Sequence, residues 1–347
     1  VGQHDNPLRD WQVDRSTIRS IGRDLQRPEC VLAEPDGTLW SADTRGVVRI
    51  LPDGTQRLIT PRHDAQAGVE SPSSGPSGGP SSSIVLGGSL PNGLAFDRAG
   101  NLLIANFGSD AIELMTREGE LRTLYSQMDG EPLGKTNFVL RDSKDRIWFT
   151  VTTRLVPWTR SINERRPDGY VGMIDANGIQ VVAEGFVGTN EIRFDAREEW
   201  LYVVESNARR ISRLRLLADG RLTDREIFGP SQLDGVPDGF AFDVYGNLWV
   251  TLVGADRLIA LTPEGDVLTL LDDGDAAKTR RFDDAFFARQ MTPEILTSTH
   301  GKLAPMMASI TFGGADLRTV YLGSLKGTTL PYFRSPVAGL PLAHWKG

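Results

Sequence analysis

Five oxygen-bearing side chains stand just ahead of short apolar segments in this sequence. Glu29 lies in Arg27-Pro28-Glu29-Cys30, Asn92 in Leu90-Pro91-Asn92-Gly93, Asn137 in Lys135-Thr136-Asn137-Phe138, Asn190 in Gly188-Thr189-Asn190-Glu191, and Asp238 in Val236-Pro237-Asp238-Gly239. A carboxylate entering a buried strand must be solvated, paired or bound to something. Carboxylate and amide oxygens suit a hard cation such as Ca2+, Mg2+ or Mn2+, and serve Zn2+ less well. Glu29 and Asp238 would set two negative charges against a dication, with Asn137 and Asn190 adding neutral oxygens and water completing the shell. Each of the five, taken singly, also reads as a turn residue, because Asn and Asp favour turns. Their repeated placement is what favours a site.

The elements that must position them are strands. Leu90 to Ala105 reads LPNGLAFDRAGNLLIA, and Val236 to Thr251 reads VPDGFAFDVYGNLWVT, with Pro, Gly, Ala, Phe, Asp, Gly, Asn and Leu at matching places. The underlying unit is a polar turn followed by an apolar β-rich triplet. It recurs at Glu34–Trp40, Asp97–Leu103, Asp142–Trp148, Asp195–Tyr202, Asp243–Trp249 and, more loosely, Phe312–Tyr321. A second hairpin signal follows most of them, as in Pro52-Asp53-Gly54, Arg117-Glu118-Gly119, Ala176-Asn177-Gly178, Ala218-Asp219-Gly220 and Pro263-Glu264-Gly265. Two hairpins per unit make a four-stranded antiparallel sheet, and units of about 45 to 55 residues match propeller blades. The expectation is an all-β fold, a six-bladed β-propeller with four-stranded antiparallel blades and a short helical insert, occupying 1–347 as a single domain. A strand near Thr17 to Ile21 would complete the last blade and close the ring. Residues just before each innermost strand then gather at one mouth of the channel.

Three inserts interrupt the repeat. His63 to Ser83 contains a Gly/Ser/Pro tract that cannot supply a core and reads as a surface excursion. Thr152 to Tyr170 lengthens blade three, and Asp272 to Leu303 carries the only substantial helix. Some of Leu155, Val156, Trp158, Phe286 and Phe287 in the last two are expected to roof the channel mouth.

Bulk properties exclude several classes. A net charge of −7 argues against nucleic acid as a partner, and no apolar run approaches a membrane span. Cys30 is the single cysteine, so no internal disulfide forms. His4, His63, His300 and His344 lack any metal spacing, which weakens zinc and Ser-His-Asp chemistry together. A cytoplasmic location is the reading, with periplasmic or secreted placement after removal of a leader left open. The oligomeric state is not legible.

Pro28-Glu29, Asn137 ahead of Asp142–Thr150, Thr189-Asn190 and Pro237-Asp238-Gly239 together resemble the SMP-30/gluconolactonase/luciferin-regenerating family of six-bladed propellers, over roughly Leu25 to Leu271. The resemblance implies a lactonase holding one divalent ion, Ca2+ first and Mg2+, Mn2+ or Zn2+ after it. It implies Glu29, Asn190 and Asp238 as ligands, Asn137 as a further ligand or substrate contact, and Asp238 as the catalytic base. Asn137-Phe138 stands where such lactonases often carry Asn-Asp, Asn190-Glu191 where they usually carry Asn-Gly, and Val151–Arg154 where Pro-Pro-Tyr-Gly is common. These departures point to a small-molecule lactone less polar than a sugar lactone, with Asn92, Arg154 and Trp158 as candidate substrate contacts. Arg141 and Arg193, like Arg154, would more readily be solvated. Cys30, next to Glu29 on a strand, should face the sheet core. Trp40, Trp148 and Trp249 should pack between blades. The alternatives are a strictosidine-synthase-like enzyme or a non-enzymatic propeller that binds a ligand or protein on its face.

Overall fold

The polar turn and the tryptophan that follows it are wired together in blades one, three and five. Asp142 accepts from the backbone N–H of Lys144 and Arg146 at 2.9 Å and from Trp148 Nε1 at 2.8 Å. Asp243 does the same for Tyr245, Gly246, Asn247 and Trp249 Nε1, and Glu34 takes Trp40 Nε1 at 2.6 Å. The acid thus satisfies a tight turn and a buried indole N–H at once, which is why it precedes an apolar strand.

A computed structural model describes residues 6–63, 89–299 and 301–346; the Gly/Ser/Pro tract lies outside the described residues. Six antiparallel sheets form the blades of a propeller. Their innermost strands are Val31–Ala33, Pro91–Phe96, Thr136–Arg141, Thr189–Phe194, Pro237–Phe242 and Met307–Gly313. Each packs on the next around the channel, the last against the first. Blade six takes its outermost strand from the N-terminus, where Arg19–Ile21 pairs antiparallel with Leu330–Arg334 and joins the two ends of the ring. Blade two gains a short parallel strand, Arg62–His63.

The core lies between blades. Trp40 meets Phe96 of blade two edge-on, Trp148 meets Phe194 of blade four, and Trp249 meets Phe312 of blade six, with ring centroids 5.2 to 6.2 Å apart. Tyr202 packs on Phe242 in the same way. Such pairs add about 0.5–1.5 kcal/mol beyond their buried area. Cys30 faces this interior, its Sγ accepting from Leu94 N–H at 3.3 Å.

Two inserts stand over one mouth of the channel. The first carries helix α1 (Arg160–Glu164); the second carries α2 (Ala276–Phe287) and α3 (Pro293–Leu296). Asp275 caps α2 by accepting from Ala277 and Lys278 N–H, and Phe282, Ala285 and Phe286 form its buried face. The opposite mouth is crossed by the C-terminal segment. Leu340 N–H donates to Phe242 O at 2.8 Å, Leu342 lies against Arg193 and Phe194, and His344 reaches Ala33 O.

Candidate functional site

Every innermost strand that begins with a candidate residue breaks its register there. The pairing shifts between Pro91 and Gly93, Thr136 and Val139, Thr189 and Ile192, and Pro237 and Phe240. Asn92, Asn137, Asn190 and Asp238 each fall inside such a bulge, which frees a residue from the ladder and re-aims its side chain. Threonines on the second strand satisfy the displaced backbone, Phe138 N–H donating to Thr150 Oγ1 and Gly239 N–H to Thr251 Oγ1. Blade six repeats the bulge around Ala308 and contributes no polar side chain. Glu29 enters from the turn before blade one.

The structure brings Glu29, Asn92, Asn137, Asn190 and Asp238 to the floor of one pocket, and all five are buried. Asn190 Nδ2 donates to Asp238 Oδ1 at 2.5 Å and to Ser206 Oγ at 3.0 Å. Asn92 Nδ2 donates to Asn137 O at 2.9 Å, while Asn92 Oδ1 accepts from Arg27 Nη2 at 2.6 Å. Glu29 Oε2 and Asn190 Oδ1 are buried with no hydrogen-bond partner. Two orphaned oxygens in one pocket, brought there from blades one and four and one of them from a carboxyl, are the donor set a hard dication completes, so the residues present fit that ion. Among the described residues no three His, Cys, Asp or Glu side chains group for a metal, and amide oxygens would have to make up the shell. Asn92 differs from the rest, because its oxygen is already engaged by Arg27.

Burial sets the electrostatics. It pushes the Glu29 carboxyl up to about 7, with Arg27 and Arg193 pulling the other way. Burial raises Asp238 well above the carboxylate range, and the charges of Glu29 and Glu191 raise it further. Two carboxyls this close cannot both ionise cheaply without a cation.

Beneath the mouth lies a pair that the sequence reading did not place in the site. Glu191, pushed up to about 8 by burial, meets Arg193 Nη2 at 2.8 Å inside the channel. The Arg193 guanidinium lies 4.4 Å from the Phe138 ring centre. A side chain on Gly239 would strike Glu191 Oε1 and Ala308 O, so the Gly after Asp238 is required by close approach. Arg27, Ser206 and Asn207 also line the pocket unannounced by any turn motif. A signal for Arg27 was present in its position two residues before Glu29.

The walls and roof are apolar. Phe107, Trp158, Ile162, Val236, Val253, Phe282, Phe286, Leu296, Met306 and Leu325 enclose about 110 Å³, several waters' worth and more than one ion fills. Trp158 packs edge-on against Phe107 at 5.2 Å. Asn163 and Met291 exchange two hydrogen bonds and latch the two inserts to each other, and Arg209 ties α2 to blade four through Asp283. Phe282 and Phe286, four apart on α2, face the pocket, whereas Phe287 turns outward and is exposed. Leu155 and Val156 also stay outside the lining, Val156 being 82% exposed. Arg154 is likewise outside. Asp168 holds its backbone N–H, and its guanidinium stacks 4.4 Å above the Tyr170 ring.

Comparison with known proteins gives this arrangement a context. Residues 73–275, more than half of the chain, match the SMP-30/Gluconolactonase/LRE-like region. An uncharacterised protein of Sulfolobus acidocaldarius is 22% identical over 212 residues, and the match spans 60% of this chain and 64% of that relative's length. A gluconolactonase of Xanthomonas campestris superposes with a TM-score of 0.63 at 21% identity, covering 92% of this chain and 89% of that one. A calcium-binding protein of Agrobacterium tumefaciens, regucalcin, superposes with a TM-score of 0.63 at 16% identity over 93% and 97% of the two chains. At these identities the likeness of the solved structures establishes the fold.

Proposed function

The chain belongs to the SMP-30/Gluconolactonase/LRE-like family, and on that footing we propose that it is a divalent-metal-dependent lactonase acting on a substrate less polar than a sugar lactone. The observation that carries this reading is the pair of buried, unpartnered oxygens, Glu29 Oε2 and Asn190 Oδ1, at the floor of an apolar pocket. Glu29, Asn137, Asn190 and Asp238 would hold the ion, with Ca2+ first and Mg2+, Mn2+ or Zn2+ as the other hard or borderline choices. When bound, such an ion supplies electrophilic polarisation of an ester carbonyl and charge stabilisation of the oxyanion that follows.

The protein's own groups do the rest. Asp238 Oδ1 is held by Asn190, which leaves Oδ2 as the other carboxyl oxygen. Oδ2 is therefore the oxygen left to take a proton from water as the water oxygen bonds to the carbonyl carbon. The ring C–O bond then breaks, its oxygen takes up the proton that Asp238 received from the water, and a hydroxy acid leaves. Asn190 and Ser206 orient the carboxylate. Trp158, Ile162, Phe282 and Phe286 exclude bulk water and hold the apolar body of the substrate. The narrow, roofed pocket supports an enzyme over a propeller that binds a protein on an open face.

Ion analysis of the purified protein, combined with a panel of sugar lactones and apolar γ- and δ-lactones in a pH-indicator assay, tests the reading. Expected are about one divalent ion per chain, turnover that chelation abolishes and the ion restores, and faster hydrolysis of the apolar lactones. Full lactone turnover after exhaustive chelation would overturn the metal dependence. No turnover of any lactone would favour a binding propeller. Preferred hydrolysis of gluconolactone would overturn the substrate class.

A further inference from the structure

The molecule pairs its other buried arginines with acids. Arg193 sits 2.8 Å from Glu191, Arg146 sits 2.6 Å from Asp142, and Arg209 contacts Asp283. Arg27 is treated differently. It is 8% exposed and lines the pocket, yet among the described residues no carboxylate lies within 4.0 Å of its guanidinium. Its partners are neutral oxygens, Asn92 Oδ1 at 2.6 Å and Pro91 O at 3.4 Å, and its Nε is buried with no partner at all. Of five N–H donors, most are unspent. The backbone is also held in the left-handed region, with φ of +57°, a conformation a non-glycine residue keeps only when its surroundings impose it.

A buried guanidinium without a counter-ion is costly unless something anionic completes it. Glu29 and Asp238 feel its charge but stand too far away to do so. Arg27 lines a pocket whose floor carries the candidate ion ligands and whose walls and roof are apolar. We infer that Arg27 receives the carboxylate of a ligand with an apolar body, the class of monocarboxylic acid that opening of an apolar lactone yields. Arg27 is then a specificity-determining residue that holds the acid group of the product and the carbonyl end of its precursor. Asn92, fixed between Arg27 and Asn137 O, orients the guanidinium rather than the ion. The inference rests on the lactonase reading for its choice of acid, but not for the anion site itself.

Binding of hexanoate and of hexanamide, the same body without the charge, is to be measured by calorimetry with Ca2+ present, for the wild type, Arg27→Lys and Arg27→Met. Wild type should bind hexanoate about tenfold or more tighter than hexanamide, as expected for a charge-assisted hydrogen bond. Arg27→Lys should keep part of that preference and Arg27→Met should lose it. Equal binding of acid and amide by the wild type overturns the inference even if Arg27→Met does not fold. So does a preference that survives in a folded Arg27→Met, which would assign the carboxylate to the ion. Tight, Arg27-dependent hexanoate binding without turnover of any lactone would sink the lactonase reading and leave the anion site standing.

Discussion

Asn190 on blade four donates to Asp238 Oδ1 on blade five at 2.5 Å, so one blade's amide aims the other blade's carboxylate. The consequence for Asp238→Asn is specific. The replacement keeps size and an oxygen for Asn190, but removes the charge and the basicity. Turnover should fall about 10²–10⁴-fold, the scale of losing a general base. Stability should hold or rise, because Glu29 then faces no like charge from Asp238. Steady-state kinetics with a thermal melt separates the two effects, and near-normal kcat would remove Asp238 from the chemistry.

Ser206 extends the same chain. Its Oγ accepts from Asn190 Nδ2 and donates to Pro237 O at 2.7 Å. Ser206→Ala frees the Asn190 amide to rotate without touching the carboxylate. A loss of about tenfold to a hundredfold in kcat, with KM nearly constant, is expected from misplacing a catalytic group by a fraction of an ångström or more. A purely structural serine would change the melting temperature and leave kcat alone.

Glu191 and Arg193 form a closed pair inside the channel. Arg193→Met leaves the buried Glu191 carboxyl without its partner and should lower the urea midpoint, the more so above about pH 8, where that carboxyl holds its charge beside Arg193. Removing both charges in Glu191→Gln with Arg193→Met should recover most of that loss. Urea midpoints for the two single variants and the double variant measure the coupling, and simple additivity would show that the pair is not an energetic unit.

How much of this was legible in the sequence follows from which interactions are local. The blades were, because Asp142 and Asp243 satisfy a turn and a tryptophan six residues on within one short segment. The helix in the second insert was legible for the same reason, whereas the closing strand at Arg19–Ile21, paired with Leu330–Arg334, followed from the need to close a ring whose last unit runs into the C-terminus. The gathering of Glu29, Asn92, Asn137, Asn190 and Asp238 was legible as a repeated position. The bulges that turn them inward were not, since a register shift depends on the neighbouring strand. Arg27 and Ser206 were missed as site residues because they bond to blades two and five, and Glu191 because its burial inside the channel depends on the strands packed around it. Phe287 and Val156 were candidates for the roof on apolar character alone, whereas the turn of α2 and the path of the first insert put them outside.

The C-terminal segment offers a prediction about pH. His344 is packed edge-on to Phe96 with ring centres 5.0 Å apart, and its Nε2 lies 2.8 Å from Ala33 O, the contact a neutral ring with a protonated Nε2 makes. Burial holds its pKa below the ordinary 6.5, and Ala33 O pulls the other way. The unfolded chain therefore binds a proton near pH 6.5 that the folded chain refuses until the pH is lower. Stability from this group is fully present above that value and is lost as the pH falls below it. His344→Gln keeps a donor for Ala33 O but cannot titrate. The wild type should lose more of its urea midpoint than His344→Gln does between about pH 7 and pH 5. The same fall in pH should lower the hydrogen-exchange protection factor at Leu340, whose N–H bonds Phe242 O across the channel mouth opposite the pocket, more in the wild type than in His344→Gln. Parallel pH profiles for the two proteins would mean that His344 does not gain its charge as this segment leaves the sheet.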